Sequence, residues 1–375
     1  MRIVVAALAA LSLAACAGTP VPQARPLNAS QIAAIGPTQV AVNENNTGVA
    51  KAWFYQDTSS AGAAYGLIGV LVTSAMNAII NYGPGKRAQA SANELATVIT
   101  PDDLTASLAG AFRAQMPASA PADAVSVSDV VTVQKITAPG VVNDALEVAV
   151  GYTLSEDAST LRVAVTTTYQ NTQIPYQTPY TFEGSTPKEE TTGPTYRNTF
   201  TYYSRQLQIP PLTPELRERL IASIRESALD DAGNPPVEGS DAYKAMMKEL
   251  EEAADERLTP AEIAIFLTRE WTRNNGELLK AEIESAHAFA ARYALLDMNQ
   301  TAVPSLEGMD EVVETMPDGR IVTRVGAGIL AGSYVTTPGD ATSVSTYGNA
   351  LSFAQSVEAR NRALNDAARA ARSSR

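Results

Sequence analysis

The stretch ALEVAVGYTLSEDASTLRVAVTTTY, residues 145–169, decides the fold. Leu146, Val148 and Val150, then Leu161, Val163 and Val165, repeat with period two, which is the spacing of a strand with one buried face. Asp157-Ala158-Ser159 between them reads as a turn, because short polar side chains satisfy their own backbone there. Upstream, Val125, Val127, Val131 and Val133 carry the same alternation, so three successive strands are expected from Ala124 onward. Tyr176, Tyr180, Tyr196, Tyr202 and Tyr203 continue it to about Leu207 in a Thr-rich run, broken by the polar loop EGSTPKEETTGPT. Tyrosines on strands serve cross-strand packing first, and glycan or peptide binding as the alternative.

Helices flank this β section. Thr100-Pro101, Thr213-Pro214 and Thr259-Pro260 each place a capping hydroxyl before a proline at the first helical position. Asp103, Glu215 and Glu262 fall in the first turns, where the helix dipole favours an acid, so the pair Asp102-Asp103 needs no catalytic role. Helices are expected from Thr213 to Ala228, Asp241 to Arg257, Thr259 to Arg273 and Glu277 to Asp297, the last two separated by Asn274-Asn275-Gly276. Trp271 is read as a docking residue, and His287 as a structural histidine at the edge of an apolar face. Between Asp57 and Lys86 no charge occurs. Residues 61–82 read as a helix whose face of small residues, Gly62 and Gly66 included, packs inside the body; insertion in a membrane is the alternative. Neither Gly62, Gly66 and Gly69 nor Gly83-Pro84-Gly85-Lys86 has the spacing of a nucleotide loop.

Strands return after Pro304: Val312-Val313, Ile321 to Thr323, Ile329 to Val335 and Ser343 to Tyr347, with Met316-Pro317-Asp318-Gly319-Arg320 as a hairpin turn. This unit either completes the first sheet or stands alone. The expected class is α/β or α+β, a mixed sheet packed with a Gly-rich helix, a helical section and a small β-unit. The expected division is 1–15 signal peptide, 16–37 tether, 38–208 α/β domain, 209–303 helical section, 304–348 β-unit and 349–375 basic terminal helix or tail.

The chain opens MRIVVAALAALSLAAC: Arg2, an apolar run, then Leu13-Ala14-Ala15-Cys16. The run is too short for the ~20 residues of a spanning helix and fits a secretory signal. Its ending resembles the lipobox of bacterial lipoproteins. That resemblance implies cleavage before Cys16 and acylation of its thiol, with the mature chain anchored by lipid. Ala17, where an Asp commonly marks inner-membrane retention, implies the outer membrane, with the body facing the periplasm. The order of tether, strand, two helices and three strands is also loosely similar to curli-secretion-type periplasmic lipoproteins, a similarity of layout alone.

Charge narrows the partners. Of the formal net charge of −12, the stretch Thr213 to Glu314 holds all, with 22 acids against 10 bases. Such a surface does not suit nucleic acid. Residues 351–375 carry +3, and read as a solvated tail or as a contact with an anionic envelope surface. One Cys and one His leave no disulfide framework and no Cys/His metal set. No catalytic, cofactor or metal residues are assigned; Cys16 is the only site. The expected function is a non-enzymatic envelope scaffold, assembly or interaction factor with a protein partner. A small-ligand or glycan-binding module is the alternative, and a carboxylate-only hydrolase, which needs only two acids, comes after it.

Overall fold

The computed structural model describes residues 24–35, 39–44, 48–51, 93–128, 145–155, 157–171, 173–174, 176–177, 189–190, 193–209, 211–230, 232–254, 258, 260–299, 310–326 and 330–339. Cys16, the Gly-rich stretch 61–82, the strand expected at Ser343 to Tyr347 and the basic segment 349–375 lie outside these residues.

Helices and one mixed sheet make the α/β or α+β body. The strands are β1 (Gln39–Asn43), β2 (Val49–Lys51), β3 (Val125–Ser128), β4 (Ala145–Leu154), β5 (Leu161–Tyr169), β6 (Tyr176–Gln177), β7 (Glu189–Glu190), β8 (Tyr196–Tyr203), β9 (Glu311–Thr315), β10 (Arg320–Arg324) and β11 (Tyr334–Pro338). Nine of them form one sheet, in the order β3-β1-β4-β5-β8-β11-β10-β9 with β2 also on β4, while β6 and β7 pair apart. The alternation read in residues 145–169 is a long antiparallel pairing from Glu147↔Thr168 to Leu154↔Leu161. At the turn, Asp157 Oδ1 accepts from Ser155 Oγ, Ser159 N and Ser159 Oγ. β3 precedes β4 in the chain but does not touch it: β1 lies between, parallel to both.

The helices are α1 (Ala29–Ile35), α2 (Pro101–Gln115), α3 (Pro214–Ser227), α4 (Asp241–Ala254) and α5 (Pro260–Met298). Both described Thr-Pro starts are caps: Thr100 Oγ1 accepts from Asp103 N while Asp103 Oδ2 accepts from Thr100 N, and Thr213 Oγ1 accepts from Leu216 N. α5 is broken where expected. Asn274, Asn275 and Gly276 take φ of 53°, 57° and 72°, a left-handed run that Asn and Gly tolerate best. A Cβ at Gly276 would also meet Val98 at 3.0 Å, so glycine is required there twice over. Trp271, fully buried, donates from Nε1 to the Ala158 carbonyl at 2.6 Å, which docks the first half of α5 on the β4–β5 turn.

One face of the sheet supplies Val40, Val42, Val148, Tyr152, Val163, Val165, Phe200 and Tyr202 to the core. α2 and α5 cover that face, and α3 adds Leu220 and Ile224.

Three expectations are corrected. The tether does not extend to residue 37: Ala24 and Leu27 are buried, Arg25 bridges Arg197, and α1 packs Ile32 and Ile35 against Leu146, Tyr169 and Tyr196. Apolar spacing inside a polar-looking stretch is responsible, together with a cap in which Asn28 Oδ1 accepts from Gln31 N and Gln31 Oε1 from Asn28 N. The divisions at 208 and 303 do not separate cores, since one cluster runs from Val40 through Leu220, Ile283 and Phe289 to Tyr334. Of the two placements left open for the late β-unit, it takes the first and completes the sheet through β11, parallel to β8 at Tyr334↔Phe200. Its last described strand takes in only Tyr334 and Val335 of the expected Ile329 to Val335 run and continues to Pro338, because Ala331 and Gly332 make a turn.

Removing the reciprocal cap is expected to cost more than removing the single one. Thr100→Ala should lose roughly 1 kcal/mol or more in urea unfolding, and Thr213→Ala less; equal losses would mean that Asp103 adds nothing to its cap.

Candidate functional site

The second half of α5 lies on the sheet through a line of polar side chains set into an apolar stripe. Leu279, Ile283, Ala286, Ala290, Tyr293 and Ala294 are buried at helical spacing, and Glu282, His287 and Asp297 are buried among them. Each meets donors or acceptors from the strands beneath.

Glu282 forms the first cluster. Its Oε2 accepts from Tyr202 Oη at 2.6 Å and Arg320 Nη1 at 3.3 Å, and its Oε1 from Arg205 Nε at 3.1 Å. Arg320 also donates to Asp318 Oδ2 and to the Tyr203 carbonyl, and its guanidinium stands 4.5 Å from the Tyr202 ring centre. Every charge in this cluster has a counter-charge, as burial requires. Burial, and after it the hydrogen bond to Glu282, pushes the Tyr202 hydroxyl up, so Tyr202 stays the donor.

His287 forms the second. Ser107 Oγ on α2 is 2.9 Å from Nδ1, and Tyr152 Oη on β4 is 2.8 Å from Nε2. A neutral imidazole has one N–H and one lone pair, and here both are engaged. Burial pushes its pKa down to about 4. The histidine expected at the edge of an apolar face thus sits fully inside, tying a helix to a strand.

Asp297 forms the third, and it differs from the others. Oδ2 accepts from Tyr196 Oη at 3.0 Å and Asn198 Nδ2 at 2.8 Å, and Asn198 Nδ2 also donates to the Gly332 carbonyl. Oδ1 is buried with no hydrogen-bond partner, as are Nε and Nη1 of Arg324, a fully buried side chain 5.8 Å from the Tyr334 ring centre. Burial raises the Asp297 pKa, against the hydrogen bond from Asn198 and the charge of Arg324. The Asp297 carboxylate, which the Tyr334 hydroxyl also approaches, and the Arg324 guanidinium form a polar core in which the Arg324 nitrogens have donors to spare.

Of the residues singled out in the sequence, Trp271 and His287 are brought into this body and Asp103 into its cap, whereas Asp102 is exposed on α2. Glu282, Asp297, Arg320 and Arg324 were missed. Their signal was present in part: Asp297 continues the apolar stripe four residues after Tyr293, a place where an acid is costly unless paired. Among the described residues no group of three or more His, Cys, Asp or Glu side chains could hold a metal ion, and no helix is long and apolar enough to cross a membrane. No protein-family model, curated protein or solved structure matches the chain.

The sign of the His287 shift fixes a pH dependence. Its contribution is complete above the unfolded pKa of about 6.5 and is lost as pH falls through that value toward about 4. Urea unfolding at pH 7.5 and 4.5 should therefore differ by about 2–3 kcal/mol more in the native chain than in His287→Leu. An equal difference in the two chains would place the acid sensitivity elsewhere.

Proposed function

We propose that the protein is a lipid-anchored envelope scaffold or assembly factor, held at Cys16 in the outer membrane and facing the periplasm. The observation that supports this most is strand β9. It ends the sheet among the described residues, and it turns apolar side chains to solvent, Val312 at 59% and Val313 at 40% exposure. Glu314 fixes this strand to α5, accepting from Tyr293 Oη at 2.6 Å and pairing with Arg292 at 2.9 Å. A register shift between Val322 and Thr323 leaves Val313 as an extra residue on β9, a bulge of the kind that keeps sheet edges from indiscriminate pairing. An edge with two exposed valines between glutamates and a bulge that restricts its register suits one protein partner. The basic segment 351–375 then serves as a contact with the anionic envelope surface, and neither nucleic acid nor a cofactor has a part.

A second reading, a binding module for a small polar ligand or glycan, is favoured by the spare donors of Arg324. A ligand that raised the melting temperature of the native chain and not of Arg324→Gln would decide for it. A carboxylate-only hydrolase has less support. The buried acids Glu282 and Asp297 lie along one helix at a spacing of roughly 22 Å, against the ~5–9.5 Å that flank a glycosidic bond.

Two outcomes test the scaffold. Cys16→Ser should move the chain out of the membrane fraction. In the acylated chain, Val312→Lys with Val313→Lys should cut recovery of a stoichiometric envelope partner at least tenfold while urea stability holds; an undiminished partner would remove β9 from the interface.

A further inference from the structure

Helix α4 presents a second outward surface, independent of β9. Met246 and Leu250 of this helix turn toward the core and Ala253 is buried, which fixes the helix in rotation. Beside that face, with Leu250 at the boundary between the two, an open groove of about 620 Å³ is lined by Tyr243, Lys244, Met247, Lys248 and Glu251. Met247 stands in it 45% exposed. A large, flexible thioether in that position can adapt its shape to a contact.

The charges along the groove are ordered. Lys244 lies three residues before Met247 and Glu251 four residues after it, so the basic and acidic ends are nearly equidistant from the methionine. We infer that α4 pairs with α4 of a second copy of this chain, antiparallel, about a two-fold axis at Met247. That axis stacks Met247 on its own counterpart and sets Tyr243 and Lys244 of each helix against Glu251 of the other. One pattern therefore supplies both halves of the contact, as an isologous interface requires. A parallel arrangement would oppose Lys244 to Lys244 and Glu251 to Glu251. The present partner of Lys244 is weak, Asp241 at 3.6 Å with both side chains largely exposed, so re-pairing it costs little, while Lys248, next to the axis, keeps its own counter-charge in Glu252 at 3.7 Å.

A helix of 14 residues is about 21 Å long, and one such pair buries less than a standard interface. The dimer is accordingly weak in dilute solution and gains from any device that concentrates the chains on a surface.

Disulfide trapping in native envelopes tests the geometry on the full chain. Met247→Cys should form a disulfide-linked homodimer on mild oxidation at least five times more than Val237→Cys, whose side chain is 78% exposed and outside the groove; the unaltered chain, with Cys16 alone, sets the background. Adding Glu251→Lys to Met247→Cys should cut the yield at least fivefold. Adding Lys244→Glu as well should restore it to within twofold, since the exchanged charges again oppose each other. A Met247→Cys yield no greater than that of Val237→Cys, a charge exchange that fails to restore it, or trapping of a different protein in place of the copy would each overturn the inference.

Discussion

A charged or hydrogen-bonding group set into an apolar interface has to be answered by a partner at that one point, and this requirement holds α5 to the sheet. An apolar stripe alone would let the helix slide or roll at little cost, because burial is non-directional. Glu282 answering Tyr202 and Arg320, His287 answering Tyr152 and Ser107, and Asp297 answering Tyr196 and Asn198 permit one depth and one rotation. Each shift away from it would leave donors or acceptors unpaired inside the body, at roughly 1–3 kcal/mol for each neutral group and more for a charge. The tyrosine hydroxyls suit this duty because the rings bury apolar area and the oxygens reach the helix.

The elements visible in the sequence were those whose chemistry is local. Asn274-Asn275-Gly276 carries the left-handed conformations in its residue types, Thr-Pro starts carry their own caps, and the alternation from Leu146 to Val165 carries its own register through one turn. What was not visible depends on residues far apart in the chain. Nothing near Val125 says that β1 will separate β3 from β4, and nothing near Tyr334 says that β11 will align with Phe200. Parallel pairings of this kind are joined by crossovers, so no turn residue records them. The segment from Ala24 to Ile35 differs from expectation for a related reason: Leu27, Ile32 and Ile35 are too few to show a period, and their place is made by distant residues, Leu146, Tyr169, Tyr196 and Met298.

The candidate site followed the same division. Trp271 and His287 were conspicuous by rarity, and both prove to be ties between elements, one to the Ala158 carbonyl and one to Tyr152 and Ser107. Glu282 and Asp297 looked like ordinary acids in an acidic helical section. Their burial is a property of the surface that receives them, and half of that surface, Arg320 and Arg324, comes from a later part of the chain. Net charge therefore misdescribes this section, since some of its acids answer buried cations and never face a partner.

That origin ties the two ends of the body together. β8 carries Tyr196, Asn198 and Tyr202 to α5, and β10 and β11 bring Arg320, Arg324 and Tyr334 to the same helix from more than a hundred residues further on. Until β11 lies beside β8, Glu282 lacks Arg320 and Asp297 lacks the charge of Arg324. The helix and the late strands thus depend on each other: α5 supplies the anions that make it tolerable to bury two arginines on the sheet, and the strands supply the cations that make it tolerable to bury two carboxylates on a helix. β9 is attached through the same exchange, by Glu314 to Tyr293 and Arg292. The outward edge of the sheet is thus tied to α5 at Glu314, two residues from Val312 and next to Val313.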